Sequence, residues 1–146
     1  ITYLNAVGVE LKLPVRLVKF PRAYKMIQEY GLLESMSHVE VVGPYGYLDY
    51  LNQQFNAYGC ISDSGTSQEE CPLLGVPVAV PRLSTERPES LDNGNSILIG
   101  ETRSVNVMRD ETIRFFRDYK VSPLDVEWLG DGTTSDKIIE ILKKRL

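Results

Sequence analysis

The apolar positions of this chain fall in short runs, separated by stretches in which polar and apolar residues alternate at helical spacing. Val15-Arg16-Leu17-Val18-Lys19-Phe20 reads as a strand, and residues 22–33 as a helix with Ala23, Met26, Ile27 and Tyr30 three or four residues apart. Val39 to Val42 is a second apolar run, stopped by Gly43-Pro44. Residues 47–57 read as a helix with Leu48, Leu51 and Phe55 on one face. The alternation continues with a strand over 58–62 and a helix over 66–74 ended by Gly75. Strands follow over 76–80, bounded by Pro77 and Pro81, and over 96–99, ended by Gly100; helices follow over 107–119 and 135–146. Ile1 to Leu4 reads as a further strand, the first of the sheet. It leaves only about ten residues before Val15, fewer than the dozen or more that a crossover between parallel strands takes. Gly130-Asp131-Gly132 marks a turn before the last helix, with Ser135 as that helix's N-cap.

Short, nearly continuous apolar strands alternating with helices indicate a parallel sheet covered on both faces. The fold expected is α/β: a single three-layer α-β-α, Rossmann-like domain over residues 1–146 with a mainly parallel sheet. Ligands of such sheets bind beyond the carboxyl ends of the strands, where the loops after Val42 and Ser62 lie. The sequence contains no internal repeat and no low-complexity segment.

Composition narrows the partners. The chain has 146 residues, enough for one domain with a real core, with 25% charged and 42% hydrophobic residues, an ordinary globular balance. A formal net charge of −4 gives no electrostatic footprint for nucleic acid or an anionic membrane, so neither is expected as a partner. No apolar stretch reaches the roughly 18 residues of a membrane span, and no signal peptide is visible, so a cytoplasmic location is expected. A start at Ile1 suggests a fragment of a longer protein. Cys60 and Cys71 are expected to be reduced and buried, without metal-site spacing. His38, the only histidine, reads as a surface loop residue.

The chemistry concentrates in Asp63-Ser64-Gly65-Thr66-Ser67-Gln68-Glu69-Glu70. It reads as strand, tight polar turn, then a helix with Ser64 as N-cap and Gly65 as first residue. Such a terminus presents free N–H groups and the positive end of the helix dipole to a phosphate. A carboxylate one turn in can accept hydrogen bonds from ribose hydroxyls, so the pairing suggests a nucleotide site. Glu69 lies roughly 100° around the helix from Glu70 and reads as a solvated acid favourable to the helix start. Arg87 follows the strand that ends at Val80 and can neutralise a phosphate or reach a sugar; the alternative is an ion pair with Glu86 or Glu89. Arg82 is a weaker second cation.

Asp63-Ser64-Gly65-x-x-Gln68-Glu69-Glu70-x-Pro72-x-Leu74-Gly75-x-Pro77-Val78, followed by Thr85-Glu86-Arg87-Pro88-Glu89, resembles the C-terminal half of the non-hydrolysing UDP-N-acetylglucosamine 2-epimerases. Pro44-x-x-Tyr47-Leu48-x-Tyr50-Leu51 and Gly130-Asp131-Gly132 extend the resemblance over positions 39 to 146. The first 38 residues match poorly: where the family has a His-Arg-Arg-Glu-Asn-like run and a helix, this chain has Asn5-Ala6-Val7-Gly8-Val9-Glu10. Thr66 stands in place of the family's second glycine, and the diphosphate-contacting histidine has no counterpart. The resemblance implies one half of a GT-B-type two-domain enzyme, with a UDP-sugar as ligand, no cofactor or metal, an absent N-terminal domain as partner, and a tendency to form homodimers. It implies Ser64 and Gly65 at the diphosphate, Glu70 at the ribose, Tyr50 stacked on uracil with Pro44 and Tyr45 along the base edge, and Arg87 at phosphate or sugar. The family's reaction interconverts UDP-GlcNAc and UDP-ManNAc, in cell-envelope polysaccharide biosynthesis, by eliminating UDP and adding it back. Its catalytic carboxylates are expected on the N-terminal half, so no catalytic residue is assigned here, and the isolated chain is expected to bind UDP weakly without turnover. A related GT-B glycosyltransferase fragment and a non-enzymatic sugar-nucleotide-binding module are the alternatives.

Overall fold

A computed structural model describes residues 1–100, 104–120 and 126–145. Helix and strand alternate through α1 (Thr2–Leu11), β1 (Val15–Val18), α2 (Pro21–Glu29), β2 (Val39–Val42), α3 (Tyr47–Phe55), β3 (Cys60–Ile61), α4 (Ser67–Leu73), β4 (Val78–Val80), α5 (Pro88–Asp92), β5 (Ser96–Leu98), α6 (Val105–Asp118) and α7 (Thr134–Arg145). Every strand pairing is parallel, as the apolar runs predict. Among the described residues the strands form two ladders rather than one sheet: β1 on β2, with Val15 opposite Val39, and β3-β4-β5, with Cys60 opposite Val78 and Val80 opposite Leu98. β3 is only two residues long and pairs on one side alone.

β4 is wholly buried and explains the layering. Val78 and Val80 point to one side, where they pack with Cys71, Val76 and the half-buried Ala57, Cys60 and Leu74. Ala79 points to the other, against Ile99, Met108 and Phe116 with Tyr3, Leu11 and Phe115 around them. Alternate residues of one strand thus meet helices on opposite faces, which is the three-layer arrangement.

The N-terminus departs from expectation. Ile1 to Leu4 is not a strand: residues 2–11 form α1, ending at Lys12 in a left-handed conformation (φ 55°). Tyr3, Val7 and Leu11 recur every four residues and share a face; Val7 is buried, and Tyr3 and Leu11 pack into the α6 side of the core. The β-branched and aromatic residues at the start mimic a strand, but this packing decides. The apparent shortage of crossover residues vanishes, because α1 precedes β1 instead of linking two strands. Tyr3 Oη lies 2.8 Å from Thr112 Oγ1, and burial, against this hydrogen bond, pushes the phenol up to about 12. Tyr3→Phe is expected to cost about 1 kcal/mol, roughly 3 °C in Tm, because Thr112 keeps its bond to the Met108 carbonyl; thermal melts check this.

Other boundaries shift. α2 ends at Glu29 rather than Leu33, because Gly31 (φ 62°) turns the chain into a 3₁₀ turn over Leu32–Ser35; Ile27 is buried while Met26 and Tyr30 are exposed. In α3 the expected apolar face is mostly outward: Leu48 is 78% and Phe55 61% exposed, while Gln54 is buried at 4%. α7 begins at Thr134, so Ser135 lies inside it rather than capping it. Ahead of it the Asp131 carboxylate accepts from the backbone N–H and hydroxyl of Thr133 and pairs with Lys137, which holds its carboxyl down at about 2. No residue of α7 is buried, and Ile138, Ile139, Ile141 and Leu142 are each about half exposed. Among the described residues no helix is long and apolar enough to cross a membrane.

Candidate functional site

Three polar loops leave the carboxyl ends of β2, β3 and β4. The loop after β3 is shaped by Ser62, whose hydroxyl oxygen accepts from the Ser64 N–H at 3.1 Å and from the Ser67 hydroxyl at 3.0 Å. The Gln68 N–H reaches the Gly65 carbonyl at 3.0 Å, closing a turn over Gly65 and Thr66. α4 therefore starts at Ser67 with Thr66 as N-cap, and Ser64 and Gly65 lie in the turn before it rather than capping and opening the helix. The difference has a local cause: the Ser64 N–H is already taken by Ser62, and Thr66 adopts helical angles (φ −60°, ψ −38°) without a side-chain cap bond.

Gln68, Glu69 and Glu70 follow in one turn of α4, and each has a different partner. Gln68 is fully buried; its Oε1 accepts from Thr85 Oγ1 at 2.8 Å and Ser90 Oγ at 3.1 Å. Thr85 Oγ1 in turn accepts from the Arg87 N–H at 3.1 Å, so Gln68 pins the loop after β4 to α4. Glu69 is not a free solvated acid. It accepts a hydrogen bond from Arg87 Nε, which, ahead of the electrostatic attraction, raises the guanidinium above its ordinary value. The Arg87 side chain pairs with the Glu69 carboxylate, and it reaches Glu86 only at its backbone carbonyl. The paired guanidinium lies over the turn: a Cβ on Gly65 would stand 3.5 Å from Arg87 Cζ. Glu70 accepts from the Tyr47 hydroxyl at 3.2 Å.

The pairings of Gln68 and Glu69 were not legible, because their partners Thr85, Ser90 and Arg87 lie 17 to 22 positions further along the chain. The signals for the two residues were position in the same turn as Glu70 and a place in the motif around it.

Tyr50 stands beside this cluster on α3, edge-on to Phe20 with ring centroids 5.8 Å apart. It is half-buried, and burial is the first cause that raises its phenol; the Glu70 charge adds a smaller push. Tyr45 is half-buried and Pro44 exposed in the loop after β2, while Tyr47 and Arg87 meet α4 at the adjacent residues Glu70 and Glu69. Beneath them Cys60 and Cys71 are free thiols packed together. Their mutual hydrogen bond holds Cys60 down and, with burial, drives Cys71 up.

Arg82 bridges Asp63 at 3.8 Å and Glu86 at 3.3 Å. It borders a cavity of about 490 Å³ lined also by Pro81, Leu83, Ser84 and Thr85, at the ends of β3 and β4. The Glu86 carboxyl lies below its ordinary value, first through its own backbone N–H and then through Arg82. Among the described residues no three His, Cys, Asp or Glu side chains converge as metal ligands. His38 is exposed, its Nδ1 3.2 Å from Ser37 Oγ, away from these loops in the turn before β2.

Fold and cluster together define an α/β domain with its polar residues gathered at the carboxyl ends of parallel strands, the class in which ligands occupy the crevice at those ends. The profile of the UDP-N-acetylglucosamine 2-epimerase family matches residues 2–143. The chain belongs to that family. It is 35% identical over 103 residues to the UDP-N-acetylglucosamine 2-epimerase of Methanococcus maripaludis, covering 68% of this chain and 28% of that enzyme. It is 32% identical over 143 residues to the Campylobacter jejuni enzyme, covering 97% of this chain and 36% of the relative. The crystal structure of the Methanocaldococcus jannaschii UDP-GlcNAc 2-epimerase in complex with UDP-GlcNAc and UDP superposes with a TM-score of 0.78 at 26% identity, over 94% of this chain and 38% of that one. The solved neighbours are GT-B-type enzymes, and the chain spans about a third of the length of the curated relatives it matches.

Proposed function

We propose that this chain is the UDP-holding part of a UDP-N-acetylglucosamine 2-epimerase that interconverts UDP-GlcNAc and UDP-ManNAc. The observation that carries the reading is the divided labour of Gln68, Glu69 and Glu70: one fixes a loop, one fixes a cation over the Gly65 turn, and one presents a carboxylate beside an aromatic ring. In this reading Tyr50 stacks on uracil, with Pro44 and Tyr45 along its edge. Glu70 accepts from the ribose hydroxyls. The Ser64–Gly65 turn and Arg87 hold the diphosphate.

The chemistry follows from charge. Eliminating UDP from a sugar leaves negative charge on the departing diphosphate, and a guanidinium already oriented by Glu69 meets that charge without reorganising. The proton transfers at the sugar need acid–base groups that this cluster does not offer, since its acids are engaged with Arg87 and Tyr47. We place those groups on an N-terminal domain, which makes that domain the chain's first partner, with a homodimer as the assembled state and the cytoplasm as its location. A ligand-bound neighbour with UDP-GlcNAc and UDP supports the choice of nucleotide.

Calorimetric titration with UDP tests the reading. Glu70→Ala is expected to weaken UDP binding tenfold or more, about 1.4 kcal/mol. An unchanged affinity would remove the ribose from α4 and the reading with it.

A further inference from the structure

We propose that Tyr47 is a positioning residue for ribose recognition: it holds Glu70 in the pose that accepts the sugar hydroxyls. The inference rests on the reading of Glu70 given above and goes one residue beyond it. Among the described residues the Glu70 carboxylate takes part in no ion pair, and one side-chain hydrogen bond reaches it, from Tyr47 Oη to Oε1 at 3.2 Å. Its neighbour Glu69 is clamped by a guanidinium; Glu70 is held by a neutral hydroxyl.

That difference suits different tasks. A glutamate side chain has several free torsions, and a ligand that must order them loses affinity in doing so. Tyr47, on the first turn of α3, supplies the order in advance from an element separate from α4. A cation in its place would neutralise the carboxylate and compete for its lone pairs. One hydroxyl occupies one lone pair and leaves the rest of both oxygens to accept from two ribose hydroxyls. Its phenol is raised, first by the hydrogen bond to Glu70, so the donor proton stays in place through the neutral range. Tyr47 is 65% exposed, so its aromatic ring is not needed for the core.

The test compares UDP with 2′,3′-dideoxy-UDP by calorimetry on the chain, its Tyr47→Phe variant and its Glu70→Ala variant. The wild type is expected to favour UDP by about tenfold, and Glu70→Ala to bring the two ligands level. Tyr47→Phe is expected to cut the preference about threefold or more while leaving the dideoxy affinity unchanged. A merely structural role would weaken both ligands alike. If Glu70→Ala abolishes the preference and Tyr47→Phe keeps it whole, the positioning role is overturned and the Glu70 reading stands. If the wild type binds no UDP, or shows no preference for it, both are overturned.

Discussion

Arg87→Ala is expected to lower UDP affinity by about tenfold to a hundredfold while leaving uridine within about twofold, the size of effect for a charge-assisted contact to phosphate. The guanidinium supplies the three atoms nearest a Cβ at Gly65, and Glu69 fixes its Nε, leaving its outer nitrogens for the ligand. One of these already reaches the Glu86 carbonyl, at 3.3 Å, a long bond that a phosphate oxygen can displace. Lysine is no substitute: a single ammonium cannot serve Glu69 and a phosphate in the same fork, so Arg87→Lys should recover only part of the loss. Calorimetry with UDP and uridine reads both numbers. Equal losses for the two ligands would mean that Arg87 shapes the loop and does not meet the diphosphate.

Gly59→Ala is expected to destabilise the fold by about 3 kcal/mol, on the order of 10 °C in Tm. A Cβ there would stand 2.5 to 2.6 Å from three ring carbons of Phe116. The ring has little room to yield: it is 5% exposed, and Tyr58 and Phe115 flank it at centroid distances of 6.3 and 6.2 Å. Adding Phe116→Leu should give back part of the loss, and a double-mutant cycle should show coupling of about 1 kcal/mol or more. A singly substituted protein that melts with the wild type would place the ring elsewhere.

The pattern of residues revealed the fold where local and global forces agree. Val39–Val42 and Val78–Val80 are apolar runs flanked by breakers, and both are strands; the Asp63–Glu70 segment sits at a strand end as its turn residues imply. It misled where a tertiary contact outweighs propensity. Ile1–Leu4 carries strand-forming residues, yet Tyr3 and Val7 bury one helical face against α6. α3 reads as amphipathic about Leu48 and Phe55, but the helix is rolled so that Gln54 faces inward. The gathering of polar residues at the strand ends was legible, but not how they pair: the link from Glu69 to Arg87 spans 18 positions and has no local signature.

The three partners of Gln68, Glu69 and Glu70 have a consequence for how the site can change. Loop, cation and the Glu70 carboxylate are all tied to one seven-residue helix, so a displacement of α4 carries them together. Tyr47 and Tyr50 belong to a separate element, α3, which meets α4 in part through the Tyr47–Glu70 bond. In the proposed reading, substitutions on α3 away from Tyr47 bear on the base contact while the loop and the cation stay tied to α4. A change at Gln68 releases its hold on the loop after β4, whereas one at Glu69 or Glu70 reaches Arg87 or Tyr47.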